Sequence, residues 1–194
     1  DEEDIEGIRI LKEKVKIPVV ADIHYHRKLA VLAMENGADK IRLNPGNIPQ
    51  KGIKEIVKVA KEREIPIRIG INSGSVKIKG SIVDSMVSSA MDTIKLLEDM
   101  DFHNIVISLK TPSVEETINC YRKISKLVDY PLHLGITEAG RGYLALSKSI
   151  LGTGVLLLEG IGDTIRISLT EPSYKEIEVA KAVLQSLGIR RFYP

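Results

Sequence analysis

Lys40-Ile41-Arg42-Leu43-Asn44-Pro45-Gly46-Asn47 alternates apolar and polar residues and then runs into a Pro-Gly turn. Read as a strand, it sends Ile41 and Leu43 to one face and Arg42 and Asn44 to the other. The design recurs. Ile67-Arg68-Ile69-Gly70-Ile71-Asn72 puts Arg68 and Asn72 on one face, and Thr164-Ile165-Arg166-Ile167-Ser168-Leu169 does the same with Arg166 and Ser168. Three further runs share this parity: 18–24 with Asp22 and His24, 105–110 with Ser108 and Lys110, and 132–138 with His133 and, at its close, Thr137 and Glu138. In each the polar face grows richer toward the C-terminal end.

Working outward, each strand is followed by a helical pattern. Apolar residues recur at helical spacing through Ile5, Ile8, Leu11 and Val15, then through Leu29, Leu32, Ala33 and Met34, and through Ile53, Ile56, Val57 and Ala60. Val83, Met86, Ala90, Ile94 and Leu97 mark a fourth helix, and Val114, Ile118, Tyr121 and Ile124 a fifth that opens at Thr111-Pro112-Ser113. A sixth covers 144–159, and a seventh carries Ile177, Ala180, Leu184 and Leu187 inward.

Six consecutive strand-then-helix units behind one leading helix predict a parallel sheet with right-handed crossovers. Strands of a doubly wound sheet are apolar on both faces. Here one parity is apolar while the other turns polar at the strand ends, which predicts a TIM-type (β/α)8 barrel with a functional mouth. Such a barrel has eight strands in about 250 residues. This chain therefore reads as strands 3–8 with their helices, residues 1–194 forming a partial barrel with two strands expected upstream and an open sheet edge beside 18–24.

The 194 residues, 43% hydrophobic and 28% charged, suffice for one substantial core. No apolar run approaches the roughly 20 residues of a membrane helix, and no signal peptide opens the sequence, so a soluble cytoplasmic protein is expected. The single Cys120 excludes an internal disulfide framework and cannot by itself hold a metal cluster, so no metal ligands are assigned. A net charge of +2, with no basic block and no Trp, gives no argument for a nucleic-acid interface, and none is expected.

Charge becomes informative at the strand ends. Arg42, Arg68, Lys110 and Arg166 stand there against Asp22 and Glu138. Two carboxylates cannot satisfy four cations on four strands, and burying the surplus would be costly, so the mouth suits a compact polyanion such as a phosphate or diphosphate ester. His133, in mid-strand, fits either a satisfied core histidine or a ligand contact. His24 is better placed for contact, whereas His26 and His103 lie in solvated connections. Cys120 borders a helix stripe and reads as packing, and Gly152-Thr153-Gly154 lacks the third glycine of a dinucleotide fingerprint.

Five motifs in order carry a resemblance: Ala21-Asp22-Ile23-His24, Arg42-Leu43-Asn44-Pro45-Gly46-Asn47, Arg68-Ile69-Gly70-Ile71-Asn72-Ser73-Gly74-Ser75, Pro131-Leu132-His133-Leu134-Gly135-Ile136-Thr137-Glu138-Ala139-Gly140, and Glu159-Gly160-Ile161-Gly162-Asp163-Thr164-Ile165-Arg166-Ile167-Ser168-Leu169. Together they resemble the 4-hydroxy-3-methylbut-2-enyl diphosphate synthases of the non-mevalonate isoprenoid route. The resemblance implies a barrel followed, after residue 194, by a domain holding a four-iron, four-sulfur cluster whose ligands are not in this chain. It implies a homodimer, a ferredoxin or flavodoxin as electron donor, and reductive ring opening and dehydration of 2-C-methyl-D-erythritol 2,4-cyclodiphosphate.

By the same resemblance Arg42, Arg68, Lys110, Arg166 and Ser168 hold the diphosphate, helped by His24, Asn44 and Asn72. Asp22 orients His24 or an arginine, and Glu138 donates a proton to the departing hydroxyl. The chain alone is expected to be inactive. Residues 75–82 are several fewer than the family has there, where a mobile mouth loop is expected. Two alternatives share these residues: a pterin-synthase-like transferase on a similar barrel, and a catalytically silent diphosphate binder.

Overall fold

The alternation at 40–44 forms β2 (Lys40–Leu43), flanked by β1 (Val20–Ile23) and β3 (Ile67–Asn72), with β4 (Ile105–Lys110) following in the strand order β1-β2-β3-β4 of the computed structural model. The structure describes residues 2–193. β1 pairs with β2, and β2 with β3, in parallel. α1 (Glu2–Lys14) precedes β1, and between the strands run α2 (Arg27–Glu35), α3 (Gln50–Glu62) and α4 (Ile82–Glu98), the last preceded by a single 3-10 turn at Ser73–Ser75. α5 (Val114–Ile124) leads to β5 (His133–Leu134), α6 (Gly142–Leu158) to β6 (Thr164–Ile165), and α7 (Ser173–Ser186) follows. The strand-helix alternation read from the sequence is thus what forms, and β1 stands at one end of the four-strand order.

The chain divides into two compact units. The first comprises the residues up to Ile71 together with Ser89–Ile107. Its core is the apolar parity of the strands, Ile41, Leu43, Ile67, Ile69, Ile105 and Ile107, under α3, whose Ile53, Ile56, Val57 and Ala60 are all buried. Each fully buried isoleucine contributes about 1.5–3 kcal/mol over an exposed one. α1 is fastened by polar contacts: Lys12 Nζ lies 2.7 Å from Asp39 Oδ2, which also accepts the Val19 N–H at 2.6 Å. Both interactions hold the Asp39 carboxyl below its usual range, the lysine contributing most.

The second unit comprises Asn72–Ser88 and the residues from Ser108 onward. Residues 76–81, the short stretch before α4, are tied to the helix start. Ser81 Oγ accepts the Asp84 N–H at 3.0 Å as an N-cap, and Ser85 Oγ accepts the Lys79 N–H at 2.8 Å. The Thr111-Pro112-Ser113 signal works as read: Ser113 caps α5 by accepting the Glu116 N–H, and the buried Thr111 and Thr117 hydroxyls satisfy each other and nearby backbone.

Two expectations need correction. The strands expected at 131–138 and 164–169 pair regularly over two residues each, His133 opposite Thr164 and Leu134 opposite Ile165, in a sheet of their own. Between β4 and β5 stands a side chain. The Leu109 N–H of β4 donates to the buried Tyr121 hydroxyl at 3.0 Å, and that hydroxyl donates to the His133 carbonyl of β5. A phenol on α5 thus occupies the place of a direct strand-to-strand bond. On α7, Ile177 is not inward but 56% exposed; Val183 is the buried residue, because α7 presents Val179, Ala182 and Val183 toward Leu146 and Ile150 of α6.

Candidate active site

In the first unit, the β1–β2–β3 register sets Asp22 opposite Arg42 and Arg42 opposite Arg68, one polar row across three strands. Arg42 is nearly buried, at 7% exposure. Its Nη1 donates to Asp22 Oδ1 at 2.8 Å and its Nη2 to the Gly70 carbonyl at 3.1 Å. A buried guanidinium needs such partners, since an unpaired charge there would cost several kcal/mol. Gly70 is required by the same contact, because a Cβ at this position would overlap Arg42 Nε. His24 Nε2 lies 3.4 Å from Arg42 Nη1 and 3.5 Å from Asp22 Oδ1. Asp22 thus lies beside both Arg42 and His24.

Lys40 starts the same polar parity and was not singled out in the sequence. Burial pushes its ammonium below the usual lysine range, and the positive field of Arg68 lowers it further. Three cations, Lys40, Arg42 and Arg68, thus share this face with Asp22. The signal was present in Lys40-Ile41-Arg42, but a lysine at a strand start usually reads as solvated.

Asn44 is buried and commits its side chain locally: Oδ1 accepts the Gly46 N–H at 3.1 Å, an Asx turn that shapes the Pro-Gly corner. It holds the backbone of the loop.

In the second unit, Ser108 is buried in β4 and Lys110 ends that strand. Lys110 Nζ crosses Gly135 so closely that a Cβ there would lie 2.9 Å from it and 2.6 Å from the Arg166 carbonyl oxygen. Glycine at 135 is thus what allows Lys110 and the Arg166 backbone to converge. The Arg166 N–H donates to the Leu134 carbonyl at 2.9 Å, prolonging the β5–β6 pairing by one bond, and the Arg166 side chain is exposed. Asn72, at the end of β3, is half-buried, and its carbonyl accepts the Ser75 hydroxyl at 2.8 Å. His133 is buried with Nδ1 2.8 Å from Thr164 Oγ1, which supports the core reading for it.

Glu138 and Ser168 line one cavity of about 320 Å³ with Gly140, Arg141 and Thr170. Glu138 is exposed and has φ +51°, a left-handed conformation uncommon for a residue with a side chain. Such backbone outliers cluster where a side chain must be aimed for function. The turn is braced by the Thr170 hydroxyl, which donates to the Gly140 carbonyl at 3.0 Å, and beneath it Ile136, Ala139 and Ala145 form a buried cluster packed by Val114 and Leu169. Arg141 is the further cavity residue that strand parity could not reveal, since it lies in the loop.

Among the described residues no group of three His, Cys, Asp or Glu side chains could hold a metal ion. Cys120 is buried, and burial pushes its thiol up to about 12. No described helix is long and apolar enough to cross a membrane.

Parallel strands alternating with helices, with cations and a carboxylate at the strand ends, define an α/β protein of the TIM-barrel type. Residues 1–181 match the GcpE TIM-barrel domain. The chain belongs to the GcpE family. It is 52% identical over 191 residues to the 4-hydroxy-3-methylbut-2-en-1-yl diphosphate synthase (flavodoxin) of Fusobacterium nucleatum, covering 95% of this chain and 54% of that protein. It is 50% identical to the protein of the same description from Nitratiruptor sp., covering 97% and 55%. The chain thus spans about half the length of the curated relatives it matches. Among solved structures, a dihydropteroate synthase from Clostridium difficile aligns with 94% of this chain and 72% of its own at a TM-score of 0.65 and 19% identity, a likeness of fold.

Proposed function

We propose that this chain is the substrate-binding barrel of an enzyme that opens 2-C-methyl-D-erythritol 2,4-cyclodiphosphate reductively and dehydrates it to 4-hydroxy-3-methylbut-2-enyl diphosphate. The observation that carries this reading is a row of cations: Lys40, Arg42 and Arg68 share one strand face with Asp22. An anionic ligand relieves the repulsion between Lys40 and Arg68 and accepts charge-assisted hydrogen bonds. The relatives' descriptions name the product, and the family resemblance implies the substrate.

Arg42, Arg68, Lys110, Arg166 and Ser168 bind the diphosphate, with His24, Asn72 and Asp22 in support and Asn44 shaping the loop. Glu138 gives its proton to the hydroxyl that leaves as water. The residues here do not fit the four-iron, four-sulfur cluster that the family resemblance implies, because the one cysteine is buried with its thiolate disfavoured. We place the cluster's ligands outside this chain and route no step through it. A flavodoxin, named in the relatives' descriptions, or a ferredoxin supplies the electrons, and the working enzyme is a cytoplasmic homodimer. This chain alone is inactive.

Glu138→Gln in the full-length enzyme tests the assignment of the acid. The amide keeps the shape and cannot deliver a proton, so cyclodiphosphate binding persists while single-turnover product largely disappears. Near-normal product yield would remove Glu138 from the mechanism.

A further inference from the structure

The loop between β5 and α6 passes three times through left-handed backbone: Glu138, Gly140 and Gly142 have φ of +51°, +98° and +58°. A Cβ at either glycine would meet nothing within 4 Å, so it is the conformation, not crowding, that calls for glycine there. Between the two glycines stands Arg141, itself extended at φ −127° and ψ 157°. The Thr170 hydroxyl donates to the Gly140 carbonyl at 3.0 Å, which ties down the residue just before it. A backbone shaped this closely gives Arg141 a set place in the cavity wall that it shares with Glu138 and Ser168.

Arg141 has no duty inside the protein. It opens α6 without capping it, is exposed, and among the described residues its guanidinium has no hydrogen-bond or ion-pair partner. Arg122 of the same unit is the contrast, since Glu159 takes its guanidinium at 2.9 Å. Among the residues lining the cavity Glu138 is the one carboxylate, and the nearby Glu176 is engaged by the Leu169 N–H at 2.9 Å. A lone loop arginine is ordinarily solvated. This one lines the same cavity as Ser168, assigned above to the diphosphate, and its planar fork of donors matches two oxygens of a phosphate.

We infer that Arg141 is a further substrate-binding residue, whose guanidinium holds the diphosphate on the side of the cavity where Glu138 stands. The inference rests on the binding site proposed above and adds to it a cation that lies in a loop rather than on a strand.

Calorimetric titration of the cyclodiphosphate into the full-length enzyme tests it with three variants. Arg141→Ala should raise Kd about tenfold or more, the worth of a lost hydrogen bond to a charged group. Arg141→Lys, which restores the charge without the fork, should recover part of that loss. Arg122→Ala removes an equal charge outside the cavity and should bind as wild type does. A wild-type enzyme that does not bind the cyclodiphosphate would overturn the binding site itself. Wild-type affinity in Arg141→Ala would leave that site standing and overturn the role of Arg141. An equal loss in Arg122→Ala would reduce the effect to net charge, and an equal loss in Arg141→Lys would reduce it to loop structure; either would also overturn the contact.

Discussion

Arg42 shows how one residue in this site is held by its neighbours. Asp22 and the Gly70 carbonyl take its guanidinium, and Gly70 leaves the room in which it lies. Gly70→Ala places a methyl group on the guanidinium, so Arg42 must leave its partners or the strand must shift. Overpacking of this kind costs about 1–3 kcal/mol. Urea denaturation should show that loss, and an unchanged midpoint would mean that Arg42 moves aside freely. Cys120 illustrates the opposite condition. With its thiol pushed up to about 12 by burial, little thiolate exists at pH 8, so a thiol reagent should label it only after unfolding. Rapid labelling of the native protein would contradict its burial.

Some residues could be read from sequence and others could not, for reasons visible in their contacts. Arg42, Arg68 and Asp22 follow from strand parity, because a period of two assigns faces without knowledge of neighbours. Asn44 shares that parity, but its amide closes the Pro-Gly corner, a local hydrogen bond that competes with any ligand role. Arg141 and the left-handed Glu138 belong to a loop, where periodicity has nothing to say.

Among the elements, β1 to β4 and helices α1 to α5 follow from hydrophobic period, α6 from its length as an apolar run and α7 with a different inward face, whereas β5 and β6 are shorter than their apolar runs suggest. Tyr121 stands between β4 and β5, and an aromatic in a helix stripe gives no sign that its hydroxyl bridges two strands. Tyr121→Phe leaves the buried Leu109 N–H and His133 carbonyl without that bridge. The expected loss is about 1–3 kcal/mol of unfolding free energy. A change below about 0.5 kcal/mol would indicate that the strands close on each other directly.

The α1 attachment gives a pH dependence. The Asp39 carboxyl is depressed in the folded state, so its contribution is present above the unfolded value near 3.9 and is lost as pH falls through the lower folded value. Asp39 is partly exposed, and solvent screening keeps the effect to about 1 kcal/mol or less. Asp39→Asn should therefore be less stable than wild type at neutral pH, with the difference vanishing in acid. A difference that grew on acidification would reverse the assignment.

At the scale of the whole molecule, each of the two units carries cations on its strands or just past them: Lys40, Arg42 and Arg68 in one, Lys110 and Arg166 in the other. The account's central claim is that these groups bind the cyclodiphosphate. The direct measurement is calorimetric titration of the cyclodiphosphate into the full-length enzyme, comparing wild type with Arg68→Ala and Arg166→Ala, one variant from each unit. Each should weaken binding by about 1.5–3 kcal/mol, the worth of a hydrogen bond to a charged group, or roughly tenfold to a hundredfold or more in Kd. Affinity unchanged in both variants would contradict the claim.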